Sequence, residues 1–74
     1  MTPISLKDAS AGIEYKIQSV AIDDEELQSF LFSLGCYVGE PITVIKSRRS
    51  GCIVSIKDGR YSIDSALAKA ITVC

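Results

Sequence analysis

From Ile42 onward the chain is cut into short β-rich runs by closely spaced turn signals, and few folds accept that pattern. Ile42-Thr43-Val44-Ile45-Lys46 and Cys52-Ile53-Val54-Ser55-Ile56-Lys57 flank a polar tip at 47–51. Asp58-Gly59, a strong two-residue hairpin signal, then separates the second run from Arg60-Tyr61-Ser62-Ile63. Strands joined by so few residues can only be antiparallel neighbours, because a parallel pair needs a crossover of a dozen residues or more. This half of the chain is therefore a meander. Ser65-Ala66-Leu67-Ala68-Lys69 has helix formers for about one turn, and residues 70–74 close as a final strand.

The first half adds one strand and one helix. Residues 1–11 read as an irregular lead-in that pins Ile4, Leu6 and Ala9. Gly12 opens a strand in which Ile13, Tyr15 and Ile17 alternate with polar residues. Val20 and Ile22 fall on the opposite phase, so a bulge or bend is expected near Gln18-Ser19. Asp23 is the expected N-cap, with Glu26 at N3 and Ile22 stapled onto Leu27. Leu27, Phe30, Leu31 and Leu34 form an apolar stripe, and Gly35 ends the helix. A helix of about eleven residues does not persist alone and must pack on the sheet.

These elements predict a mainly β fold: a small SH3-like barrel of about five short strands, with one α-helix inserted after the first. The 74 residues are expected to form one domain spanning 1–74. At 47% hydrophobic the chain is too apolar for disorder. It has no apolar run of membrane-spanning length and no basic opening followed by an apolar stretch, as expected of a cytoplasmic protein with no membrane insertion.

The residue inventory excludes several functions. There is no His and no Trp, so Ser-His, Cys-His and His-metal arrangements are absent. No Gly-rich phosphate loop occurs, and neither enzymatic activity nor a cofactor is expected. Net charge is −1 with a pI near 5.2, which is no footprint for nucleic-acid binding. Cys36, Cys52 and Cys74 form no CxxC and are read as small apolar residues, with neither a disulfide framework nor a metal site expected.

Glu26-Leu27, Phe30-Leu31, Leu34-Gly35 and Gly39 are followed in order by Ile42-Thr43-Val44-Ile45, Gly51-Cys52-Ile53-Val54, Ile63 and residues 67–73. This ordered set resembles the ferrous iron transport protein A (FeoA) family over nearly the whole chain. The resemblance implies a cytosolic SH3-like accessory protein of ferrous iron uptake. Its implied partner is the iron permease, at the cytoplasmic GTP-binding region. Related domains occur in metal-dependent transcriptional repressors, which implies a second role, regulatory work alongside such a repressor; no DNA-binding helices accompany this barrel. The tip Ser47-Arg48-Arg49-Ser50-Gly51 is shorter than the Gly-Asp-Pro-like segment of many members and differs from it. Self-association is left open.

Four residues are candidates for protein contacts: Phe32, Tyr37, Arg48 and Arg49. Phe32 falls on the polar side of the helix. Cover by Ile4 and Leu6 is the favoured reading, with exposure for a partner as the alternative. Tyr37 follows the helix end, and the two arginines form a charged hairpin tip. Tyr15 and Tyr61 are expected to pack at the barrel rim.

Overall fold

The structure, a computed structural model, describes residues 2–74. The reading of the chain's opening as cytosolic includes Met1, which lies outside those residues. Strand β1 (Ile4–Ser5) leads through a 3₁₀ turn (Leu6–Asp8) to β2 (Glu14–Val20) and helix α1 (Glu25–Ser33). The meander β3 (Pro41–Arg48), β4 (Gly51–Ile56) and β5 (Gly59–Asp64) follows, then helix α2 (Ser65–Ala70) and β6 (Ile71–Val73). The strands form one antiparallel sheet in the order β1-β6-β2-β3-β4-β5.

The arrangement is mainly β and broadly SH3-like, but it corrects the expectation in three respects. The described residues form six strands, because Ile4 and Ser5 pair with Val73 and Thr72; two residues are too few for alternation to announce a strand. The long helix consequently follows the second strand. The sheet is also open: β1 and β5 lie at its two ends, and the two-residue β1 pairs only with β6 among the described residues.

Alternation decides what the sheet buries. Ile42 and Val44 on β3, Val54 and Ile56 on β4, and Ile63 on β5 point inward, joined by Ile17, Ile71 and Val73. Each is at most 2% exposed. Tyr15 and Tyr61 pack half-buried against this core, as expected. The register of β2 on β6 shifts between Ile17 and Ser19, the expected bulge. The first meander turn is tighter than read from sequence, and the second is shifted by one residue. Arg48 pairs with Gly51, which leaves only Arg49-Ser50 at the first tip. Gly51 has φ +154, and a Cβ there would fall onto the Ile63 carbonyl oxygen. The second turn is Lys57-Asp58, both left-handed at φ +47 and +69, and not Asp58-Gly59. Gly59 belongs to β5 instead, where a side chain would strike the Tyr61 ring.

Helix α1 starts one residue later than expected. Asp24, not Asp23, is the cap, and its carboxylate accepts from the backbone N–H of Glu26 (2.9 Å) and Leu27 (3.3 Å). This frame dissolves the expected capping box and staple, because Glu26 now sits at N2 and Leu27 at N3. Two adjacent aspartates have equal capping chemistry, and how the chain arrives from β2 selects between them. The apolar stripe is only half buried. Leu31 is 1% exposed and Leu34 packs on the core, while Leu27 and Phe30 are 37% and 52% exposed. The helix meets the sheet through its last turn alone, so its N-terminal half projects.

Candidate functional site

The end of α1 is fixed by backbone chemistry. The Gly35 N–H donates to the Phe32 carbonyl (3.0 Å) and the Cys36 N–H to the Leu31 carbonyl (2.9 Å). This is a Schellman closure, and it requires the left-handed φ of +94 that Gly35 supplies. Gly35 also lies against β4, where an added Cβ would sit 3.1 Å from Ile56 Cγ2. The chain then doubles back and presents Tyr37 and Val38 beside the helix.

There Phe32 and Tyr37 meet. Their ring centroids are 4.9 Å apart and the planes tilt by 35°. Phe32 is 65% exposed and Val38 68%, the two most exposed large apolar residues among the described residues. The expected cover over Phe32 is therefore absent: Leu6 is fully buried, and the 3₁₀ turn carrying it packs on α2. Val20, Gln28 and Cys36 complete a shallow groove of about 230 Å³ under the two rings.

The platform is braced by Lys57, from the turn between β4 and β5. Lys57 Nζ lies 5.4 Å from the Tyr37 ring centroid and 3.3 Å from the Glu40 carboxylate. The Tyr37 hydroxyl and the Glu40 carboxylate beside it hold the Lys57 ammonium above its ordinary pKa. Cys36, beneath the rings, is 3% exposed, and burial pushes its thiol up to about 11. It is an inert apolar filler at neutral pH. Burial also raises the Cys52 thiol, against the lowering influence of Lys7.

Arg48 and Arg49 stand elsewhere. Lys7 Nζ donates to both of their carbonyls, at 3.0 Å for Arg49, which gathers three cations at this tip. Arg48 pairs with Gly51 at the start of β4, whereas Gly35 rests on Ile56 at its end. The two candidate groups are thus separated by the length of β4, about 17 Å at ~3.3 Å per residue. The structure brings Phe32 and Tyr37 together and leaves the arginines apart from them.

Sequence reasoning overlooked Val38 and Lys57. An apolar Cys-Tyr-Val triplet between Gly35 and Gly39 is too short to cross the core, and that signal could have found Val38. No local pattern marks Lys57, which reaches Tyr37 only through tertiary structure. Among the described residues, no group of three or more His, Cys, Asp or Glu is placed to hold a metal ion. None of the described helices is long and apolar enough to cross a membrane.

The FeoA domain model matches residues 4–74. Among solved structures, the crystal structure of an iron uptake regulatory protein (FeoA) superposes with a TM-score of 0.87 at 23% identity, covering 99% of this chain and 96% of that one. The solution structure of a FeoA protein from Chlorobium tepidum gives 0.85 at 22% identity, covering 95% and 68%. A manganese-dependent transcriptional repressor gives 0.89 at 18% identity; all of this chain corresponds to 41% of the repressor. No curated protein matches the sequence.

Proposed function

Because the chain belongs to the FeoA domain family, which links it to iron transport, we propose that it is a cytoplasmic, non-enzymatic accessory protein of ferrous iron uptake. It docks on the cytoplasmic GTP-binding region of the iron permease. The observation that carries this reading is the Phe32–Tyr37 platform: two rings in contact beside an exposed Val38, with Lys57 against the Tyr37 ring. Aromatic residues displayed on a rigid support are the usual anchors of a protein interface, because little ordering entropy is lost when they bind.

Phe32 and Tyr37 are the proposed anchors of that contact. Arg48 and Arg49, at the other end of β4, engage an acidic element of the same partner, which must then be a folded surface spanning the sheet. A pull-down of the purified permease region tests the reading. Phe32→Ala and Tyr37→Ala are each expected to weaken binding by ~1–2 kcal/mol. Arg48→Ala and Arg49→Ala are expected to change mainly its salt dependence. Folded Phe32 and Tyr37 variants that bind like the parent would remove the platform from the interface.

A second reading, a regulatory domain working with a metal-dependent repressor, is favoured by the superposition on the manganese-dependent repressor. Gene neighbourhood separates the two. A permease gene alongside supports the first reading and a repressor gene the second.

A further inference from the structure

The platform carries information about the chemistry of what sits on it. The stretch 23–38, which contains α1 and both rings, holds Asp23, Asp24, Glu25 and Glu26 and no Lys or Arg. Asp24 is occupied as the cap. Glu25 lies seven residues before Phe32, so the two share one line of the helix, about 10 Å apart along its axis. Gln28 stands between them and lines the groove with Phe32. Lys57, the cation at the Tyr37 ring, is paired with Glu40; no ion pair within 4.0 Å involves Glu25 among the described residues.

We infer that the platform receives an amphipathic segment of a protein partner, its apolar residues seated on Phe32, Tyr37 and Val38 and a Lys or Arg directed toward Glu25. The inference rests on the docking reading above and adds the partner's chemistry and polarity. Apolar anchors with a charged flank are the features by which grooves select amphipathic helices. Alternative occupants are disfavoured on charge. An anionic bilayer would meet carboxylates where it needs basic residues. A second copy of this surface would bring the same sign of charge face to face.

Two probes test this on the full chain. The first is a short amphipathic helix of Leu and Lys, compared with its Leu–Glu counterpart by NMR titration. The Leu–Lys peptide is expected to shift the amides of Glu25, Gln28, Phe32, Tyr37 and Val38, and the Leu–Glu peptide to leave them in place. Glu25→Gln should weaken binding about threefold and flatten its salt dependence, and Phe32→Ala should weaken it about tenfold or more. Equal shifts from both peptides, or an unchanged salt dependence in Glu25→Gln, would overturn the inference. Phe32-dependent binding to phosphatidylglycerol vesicles would overturn it too.

The second probe is the permease region itself. Binding that depends on Phe32 but ignores the Glu25 charge overturns the inference and leaves the docking reading standing. No permease binding, alongside Leu–Lys binding that needs both residues, supports the inference and removes the reading.

Discussion

The meander and the α1 segment are built from similarly apolar residues and dispose of them in opposite ways. On β4, Cys52, Val54 and Ile56 are at most 3% exposed, locked between β3 on one side and β5 on the other. On α1, Leu27, Phe30 and Phe32 are 37–65% exposed, and only Leu31 and Leu34 reach the core. The meander buries its apolar surface largely against strands that are near neighbours in sequence. The helix has one turn of contact and leaves the rest of its apolar surface uncovered. A small domain whose core takes mostly strand residues, and only Leu31 and Leu34 from the α1 region, has free apolar surface left to offer a partner.

The sharpest test of that contrast is truncation on the sheet side. Ile71 is fully buried on β6, beside Val20. Ile71→Ala is expected to cost about 2–4 kcal/mol, through lost transfer energy and the cavity left behind. Total stability for a chain of this size is of the order of 4–11 kcal/mol, so a large fall in the urea midpoint should follow. A loss below about 1 kcal/mol would mean that the sheet core is looser than its burial indicates.

Cys36 lies where the two regions join, and alkaline pH probes that joint. Burial raises its thiol from 9.0 to about 11, so the folded state holds the proton more tightly than the unfolded one. The associated stability is fully present below about pH 9 and is lost as pH rises from there toward 11. The full shift corresponds to about 2–3 kcal/mol. Cys36→Ala removes this component, so the difference between parent and variant should shrink over that range. A constant difference would place solvent beneath the platform.

Much of the meander was legible because its causes are local. β-Rich runs bounded by turn signals marked the strands of residues 42–63, and the phase slip after Ile17 marked the bulge that the register shows. Features set by distant contacts were not legible. Ile4-Ser5 becomes a strand only because β6 returns beside it, and Phe32 stays uncovered while Leu6 is buried in a turn packed on α2 and Ile4 pairs with β6. The candidate site was half legible. Phe32 and Tyr37 could be chosen by type and position, but the Lys57 brace and the separation of Arg48 and Arg49 are tertiary facts.

The helix start gives a smaller and more local test. Asp24 accepts two backbone hydrogen bonds, and no side-chain hydrogen bond involves Asp23 among the described residues. Asp24→Ala is expected to cost ~1 kcal/mol, with Asp23→Ala within about 0.5 kcal/mol of the parent. Equal losses would mean that the chain alternates between the two frames. Because α1 is anchored at its far end, the loss of the cap should also speed hydrogen exchange in its first turn well before any change in β4.

The smallest stability effect belongs to the residue with the largest proposed role in binding. Phe32 is 65% exposed and its aromatic neighbour is the Tyr37 ring, which Lys57 also contacts. Truncation to Ala opens no core cavity, and the ring pair contributes about 0.5 kcal/mol when one partner stands mostly in water. Phe32→Ala should therefore melt within a few degrees of the parent, while its affinity for the permease region falls. This decoupling is what the contrast between sheet and helix requires: residues committed to the core set stability, and those left uncovered set recognition. A Phe32 variant that loses several kcal/mol would show that the ring closes the core, and the helix would then belong with the sheet as a structural element. Comparing its urea midpoint with that of Ile71→Ala under identical conditions decides the matter, because the two losses are expected to differ several-fold.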